Sequence, residues 1–208
     1  YNAGGSLTTG NTNILIGRNA GSSGTDLAYT VIIGHTAGDA INTNNSQGSV
    51  IIGYQAGTSQ TAGINTFIGY EAGRRNLSGT YNTTVGYEAG MNATGSSNTF
   101  VGRSAGQGGQ SSAPYSSGER NTVIGFQAAK DFTTQQNMVA IGYATAQSGG
   151  GDKSVYIGET AGYNSTSGTN LLVGYRAGYS MTDSNRTTAL GHQSLYNLTY
   201  SGWSKATS

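Results

Sequence analysis

The chain contains no cysteine, a single proline and few charged side chains, and each shortage excludes something. Without cysteine there can be no disulfide and no thiolate metal site. Ten basic and nine acidic residues leave a net charge of +1 over 208 residues, which gives no electrostatic footprint for nucleic acid or an anionic membrane. No apolar run approaches the roughly 18 residues of a membrane-spanning helix. We therefore predict no nucleic-acid partner and no membrane insertion.

Repetition is the dominant feature of the chain. The phrase "NTFIGYEAG" at 65–73 returns as "NTTVGYEAG" at 82–90 and "NTFVGRSAG" at 98–106. The glycine that follows each short aliphatic run, here called the marker glycine, occurs at Gly17, Gly34, Gly53, Gly69, Gly86, Gly102, Gly125, Gly142, Gly158, Gly174 and Gly191. The spacing is 16 or 17 residues in most copies. Residues 1–208 are thus expected to form a single repeat domain, with the array at 11–195, a partial coil at 1–10 and a C-terminal end at 196–208.

Each position of the repeat has its own composition. The residue before the marker glycine is Ile, Val or Leu, and the residue three before it is β-branched except at Leu171. Asn stands four before the marker glycine in six copies, and Ala stands three after it in nine. A short aliphatic run bounded by Asn and Gly predicts a strand, and the step is too short for a helical hairpin. We predict an all-β parallel β-roll or β-solenoid of about eleven coils, about 50 Å long, with the Asn residues stacked in a ladder.

The outer stripe of each strand is predicted to be an oligomer interface. Side chains alternate along a strand, so the residues one and three before the marker glycine share a face, which we assign to the coil interior. The residue between them should then point outward, yet it is apolar in ten of eleven copies. Because so long an exposed apolar stripe favours self-association, the candidate interface is Leu15, Ile32, Ile51, Phe67, Phe100, Val123, Tyr156 and Leu172. The alternative is a flattened coil in which both faces pack within one chain.

An aromatic row follows the marker glycines and has two interpretations. Its members are Tyr54, Tyr70, Tyr87, Phe126, Tyr143 and Tyr175. Aromatic side chains are amphipathic, so the row could bind a sugar or pack at an interface between chains. Longer spacings around 40–48 and 107–120 predict loops, which serve either as a binding face or as spacers.

The sequence offers no catalytic, cofactor or metal site. His35 and His192 lie near opposite ends of the array, so we expect ordinary surface side chains. Glu71 and Glu88 stack in adjacent coils near Arg74, Arg75 and Arg103; solvated carboxylates are expected, with a bound cation as the alternative. There is no nucleophile elbow and no phosphate-binding loop, so we predict no enzyme. Glycosylation sequons, usable only in an organism that glycosylates Asn, stand at Asn44, Asn76, Asn82, Asn92, Asn164, Asn185 and Asn197.

The repeat resembles two families of fibrous proteins. The pattern N-[ST]-x-[IV]-G-x-x-A-G is similar to the head repeats of trimeric autotransporter adhesins, the YadA-like head. It is more similar still to the "NTAIGYxAG" and "ALYxxTTG" arrays of bacteriophage tail fibres, through "NTFIGYEAG", "NLLVGYRAG" and "GHQSLYNLTYSG" over residues 11–200. The copies at Gly125, Gly142 and Gly191 depart from the pattern because they lack the Ala-Gly corner. The resemblance implies left-handed parallel β-rolls packed as a homotrimer about a common axis.

We therefore expect a non-enzymatic, extracellular structural or adhesive segment of a virion fibre or a cell-surface appendage. Its partners would be copies of itself and a cell-surface glycan or receptor. One alternative is a self-assembling filament subunit, in which the half-repeat "YNAGG" at Tyr1 completes a coil with a neighbouring molecule. The other is a monomeric β-solenoid that binds carbohydrate or ice. Ice binding needs a flat threonine face, and the column with most Thr, three before the marker glycine, is expected to point inward.

Overall fold

A computed structural model describes residues 1–41, 47–61, 63–109, 115–166, 168–182 and 184–197. Within these ranges the regular structure consists of strands of three residues, with no helix. The strands are β1 (Ile14–Ile16), β2 (Val31–Ile33), β3 (Val50–Ile52), β4 (Thr66–Ile68), β5 (Thr83–Val85), β6 (Thr99–Val101), β7 (Thr122–Ile124), β8 (Val139–Ile141), β9 (Val155–Ile157), β10 (Leu171–Val173) and β11 (Thr188–Leu190). They form one parallel sheet in chain order. The predicted parallel β-solenoid of about eleven coils is confirmed.

Every strand occupies the three residues before a marker glycine and pairs with the same positions of the next coil. Thr66 lies beside Thr83, Phe67 beside Thr84, and Ile68 beside Val85. The register persists across the longest coil, where Thr99 pairs with Thr122. A slip of one residue would exchange the two faces of a strand, so insertions are confined to the segments between strands.

A corner built from left-handed residues follows each strand. The residue two after the marker glycine has φ between 47° and 57° in all eleven coils, and the residue four after it has φ between 41° and 60°. None of the eleven residues two after the marker glycine is itself a glycine, and each non-glycine residue in this conformation costs about 1 kcal/mol. Hydrogen bonds to neighbouring coils offset that cost: Glu88 N donates to Tyr70 O at 2.8 Å, and Gly73 N donates to Ala89 O at 3.0 Å.

The marker glycines are required by close contact between coils. Gly86 has φ of 139°, and a Cβ atom there would lie 2.5 Å from the carbonyl oxygen of Gly102. The next marker glycine crowds the same point in each of the other paired coils. A side chain at this position would therefore force two coils apart.

The structure corrects the predicted direction of the strand side chains. The middle residue of each strand points into the coil, where Ile32, Ile51, Phe67, Val123, Tyr156 and Leu172 are fully buried, Phe100 is 1 % exposed and Leu15 in the first coil is partly buried. They pack with the Ala residues three after the marker glycine, which are also buried. Seven of these eight residues are buried in the core and Leu15 packs against its edge, so the set does not form an interface between chains. Alternation was predicted correctly, but the assignment of inside and outside was wrong.

The Asn column forms a ladder, and its bonds join side chain to backbone. Asn82 Oδ1 accepts from the backbone N–H of Asn98 at 2.8 Å, and Asn82 Nδ2 donates to Gly95 O at 2.9 Å. The same pair of bonds recurs at Asn65 and Asn98. Each buried amide thus satisfies one donor in the next coil and one acceptor, at the point where the chain enters a strand.

Candidate interaction surfaces

The outer face of the sheet is uncharged throughout. It carries the residues three and one before each marker glycine, which in all eleven strands are Ile, Val, Leu or Thr. Every one of these side chains is at least partly exposed, with Ile14 at 52 % and Ile16 at 57 %. We call this surface the aliphatic face. It replaces the incorrectly predicted stripe as the exposed apolar surface of the chain.

Threonines form an uninterrupted row within the aliphatic face. Thr66, Thr83, Thr99 and Thr122 stand at the same position of four successive strands and pair with one another in register. All four are partly or fully exposed. The expectation that this column points inward is wrong.

The aromatic row borders the aliphatic face and forms a stacked ladder. Ring centroids are 5.0 Å apart between Tyr54 and Tyr70 and between Tyr70 and Tyr87. Phe126 and Tyr143 stack at 5.4 Å. The coil between these groups contributes Arg103, whose guanidinium carbon lies 5.6 Å from the Tyr87 ring centre and 5.2 Å from that of Phe126. Tyr54 to Tyr143 therefore form one continuous column.

A histidine extends each of the two stacks in the aromatic row. His35 stacks on Tyr54 at 5.4 Å, and His192 stacks on Tyr175 at 5.0 Å. Both follow a marker glycine, so their position in the repeat could have assigned them to the row. Glu159 occupies the same position between Tyr143 and Tyr175 and separates the two stacks.

Stacking determines what the row can offer to a ligand. Tyr54 lies between His35 and Tyr70, and Tyr70 lies between Tyr54 and Tyr87, so neighbouring rings cover both faces of each. A sugar that stacks on aromatic rings needs an open face. The row presents ring edges and hydroxyl groups to solvent, with Tyr70 exposed by 41 %. The geometry favours the packing interpretation over sugar binding.

A second aromatic stack escaped the sequence analysis. Tyr163 and Tyr179 stack at 5.0 Å, and Tyr179 and Tyr196 at 5.1 Å. All three stand five residues after a marker glycine. That shared position in the repeat is the sequence feature that could have predicted the stack. The guanidinium carbon of Arg176 lies 5.6 Å from the Tyr179 ring centre.

The two stacked glutamates have protein partners. Arg74 Nη1 lies 3.0 Å from Glu71 Oε2, and Gln107 Nε2 donates to Glu88 Oε2 at 2.7 Å. In the described part of the chain, no three His, Asp or Glu side chains converge to hold a metal ion. Arg75 does not pair with either glutamate in the described part of the chain; its guanidinium donates a hydrogen bond to the amide oxygen of Asn92.

Tyr70 and Tyr87 hold their phenol protons more tightly than a free tyrosine. Partial burial and the nearby negative charge of Glu71 raise the pKa of Tyr70. A hydrogen bond to the Glu88 carboxylate and its charge raise the pKa of Tyr87. Both phenols are therefore fully protonated at neutral pH.

Three of the seven sequons are unavailable in the folded chain. Asn76, Asn82 and Asn92 are 2–3 % exposed, and their amide nitrogens donate to backbone carbonyls of the next coil. Asn185 and Asn197 are exposed, whereas Asn44 lies outside the described residues. The predicted loops also lie partly outside them, at 42–46 and 110–114.

Comparison with known protein families, curated proteins and solved structures finds no match to this chain. The likeness to adhesin heads and tail fibres therefore rests on the repeat phrase. Over the described residues there is also no helix with the length and apolarity to cross a membrane.

Proposed function

We propose that the chain is a non-enzymatic structural or adhesive segment of an extracellular fibre, in which three copies pack in parallel through their aliphatic faces. The observation that carries the proposal is the aliphatic face, because all its positions across eleven strands lack charge and are at least partly exposed in one chain. The resemblance of the repeat to adhesin heads and tail fibres supports the extracellular setting and the number three.

The size of the surface supports self-association. A strip about 50 Å long and about 12 Å wide gives roughly 600 Å², the upper end for an apolar patch on a monomer. With the adjoining aromatic row, the surface approaches the roughly 800 Å² that each partner buries in a standard interface. The exposed ring edges of Tyr54, Tyr70 and Tyr87 would then lie at the rim, where amphipathic aromatic residues are favoured.

Charges at the two edges of the aliphatic face support a parallel arrangement. Lys153 and Glu159 flank β9 on opposite sides, and both are exposed. Neither belongs to an ion pair within the described part of the chain. Around a common axis, with the chains in register, one edge of each copy meets the opposite edge of the next. Lys153 would then face Glu159 of a neighbour in the same coil.

Light scattering after size exclusion tests the proposal. We expect a discrete species near three times 21.2 kDa. Replacing Val101 and Ile124 with Lys would place charge at the centre of the aliphatic face and release monomers. The control is Leu77→Lys, an exposed apolar residue outside that face, which should leave the mass unchanged. A concentration-dependent series of larger species would favour the end-to-end filament, and a wild-type monomer would contradict both forms of assembly.

The threonine row supports a second candidate, binding to ice. Four aligned hydroxyl groups beside aliphatic side chains make a flat, rigid array with a spacing of about 4.8 Å between strands. A monomeric wild-type protein that inhibits ice recrystallisation, and loses that activity on Thr99→Lys but not on Leu77→Lys, would establish this function. Assembly through the aliphatic face would cover the array and exclude it.

A further inference from the structure

The stacked tyrosines place chemically equivalent phenols side by side along the fibre. Tyr54, Tyr70 and Tyr87 come from consecutive coils, with centroids 5.0 Å apart and ring planes within 14°. Tyr163, Tyr179 and Tyr196 repeat the arrangement elsewhere on the coil, with planes within 13°. Each pair lies on hydrogen-bonded segments of adjacent coils, so the backbone brings the two side chains together, and their rotamers place the rings face to face.

Glutamate carboxylates lie next to two of the phenols and could accept the protons that these release on oxidation. Glu88 follows Tyr87 in the chain and Glu71 follows Tyr70, and each carboxylate is near enough to its phenol to raise the phenol's pKa. One-electron oxidation turns a phenol into a strong acid, so an adjacent carboxylate makes its proton loss easier. The rings are also accessible, since Tyr54, Tyr70 and Tyr87 are 41–44 % exposed.

We propose that these two stacks are oxidative modification sites, where neighbouring tyrosines couple to dityrosine and join adjacent coils covalently. The co-reactant is a one-electron oxidant such as a peroxidase with hydrogen peroxide. Each of two phenols loses one electron and one proton, and the resulting radicals form a carbon–carbon bond between ortho carbons. The two ortho hydrogens then return to the oxygens as the rings regain aromaticity. Overall the pair loses two hydrogen atoms, and the peroxide is reduced to two molecules of water.

Dityrosine bonds would provide covalent links between coils, which this composition otherwise lacks. The chain has no cysteine, so disulfides cannot fasten one coil to the next. A link between Tyr54 and Tyr70 closes a loop of about one coil, and such a crosslink stabilises the folded chain by restricting the unfolded one. Links in series would hold several coils together.

Peptide mapping by mass spectrometry after treatment with peroxidase and hydrogen peroxide tests the proposal. An equimolar mixture of isotope-labelled and unlabelled chains separates links within one chain from links between chains. We expect Tyr54–Tyr70, Tyr70–Tyr87 and Tyr163–Tyr179 links within single chains, each lighter by two hydrogen atoms. Tyr70→Phe keeps a stacking ring, and it should abolish the first two links while leaving the third.

Internal controls decide whether stacking or simple exposure directs the reaction. Tyr29 and Tyr81 are 61 % and 67 % exposed, more than the row, and no ring stacks on either among the described residues. Links that mainly involve Tyr29 or Tyr81, or that mix labelled with unlabelled chains, would overturn the proposal. So would hydroxylation of the stacked rings without coupling. The readout is the same whether or not the chain forms trimers.

Discussion

The buried Asn column is where a single side chain matters most. Asn82→Ala would leave the N–H of Asn98 and the carbonyl of Gly95 without partners. Two unsatisfied buried groups should lower the free energy of unfolding by about 2–4 kcal/mol. Asn82→Ser should cost less, because Ser49 fills this position in another coil and its Oγ accepts from Asn65 N at 3.3 Å and donates to Gly63 O at 3.0 Å. Denaturant titration of the three proteins measures the difference, and equal losses for Ala and Ser would contradict the account.

Glycines at two different positions of the repeat should respond differently to substitution by alanine. Gly86→Ala places a methyl group 2.5 Å from the Gly102 carbonyl oxygen, so we expect a loss above about 3 kcal/mol. Gly21→Ala meets only side-chain methyl groups, at 3.1 Å and beyond. Ala129 already adopts the matching left-handed conformation in another coil, with φ of 41°. A loss of about 1 kcal/mol is expected there, measured by the same titration.

Titration of the aromatic row should weaken the fold at high pH. The pKa values of Tyr70 and Tyr87 are raised in the folded state, so the folded chain holds these protons more tightly than the unfolded chain. Their stabilisation is complete below the ordinary tyrosine pKa of about 10 and is lost as the pH rises through the higher folded values. Thermal unfolding between pH 8 and 12 should show a smaller alkaline decline for the Tyr70→Phe, Tyr87→Phe double variant.

At the scale of the strand, β5 contains a matched pair of threonines. Thr84 points into the core, 2 % exposed, and its hydroxyl has no hydrogen-bond partner among the described residues. Thr84→Val keeps the shape and removes the unsatisfied group, so stability should rise by about 1 kcal/mol. Thr83→Val changes the same atoms on the exposed face and should have little effect. A loss of stability for Thr84→Val would show that the hydroxyl is satisfied in solution.

Sequence alone located every strand but could not choose its inner face. The periodicity fixed which residues share a face, because a strand alternates with a period of two. Both faces are apolar, as in Ile32 flanked by Val31 and Ile33, so hydrophobicity did not distinguish them. The decisive information lies in the corner: the left-handed residues after the marker glycine bring the Ala column to the same side as the middle residue.

The aromatic row was predicted as a row and not as a stack. Its position after the marker glycine placed Tyr54, Tyr70 and Tyr87 in one column, and equal spacing put the rings in adjacent coils. Whether rings lie face to face or fan outward depends on side-chain rotamers, which the repeat does not encode. The hydrogen bond between Gln107 and Glu88 could not be predicted for the same reason. The two residues stand at different positions of the repeat, so their alignment in the sequence does not pair them.

For the whole molecule, repetition predicts tolerance to the loss of a coil. Deleting Thr66–Asn82 joins Asn65 to Thr83 and recreates an Asn-Thr entry into a strand. Because each coil contacts only its neighbours, stability should remain close to additive over coils. We expect a folded protein whose denaturant dependence of unfolding falls by roughly one-eleventh, in proportion to the surface lost. An unfolded product would show that long-range order, rather than contact between neighbours, maintains the array.

The bonds between coils run along the long axis, and that direction governs the response to force. A force applied between distant points of the chain acts on one interface between coils at a time. The hydrogen bonds of that interface break before those of the next are loaded. Each coil that detaches would release 16 or 17 residues, a lengthening of up to about 55–60 Å. The stack of coils would yield in nearly equal steps and recover by restacking on the coils that remain. A β-solenoid of this kind would lengthen gradually under a sudden load and would not fail at a single point.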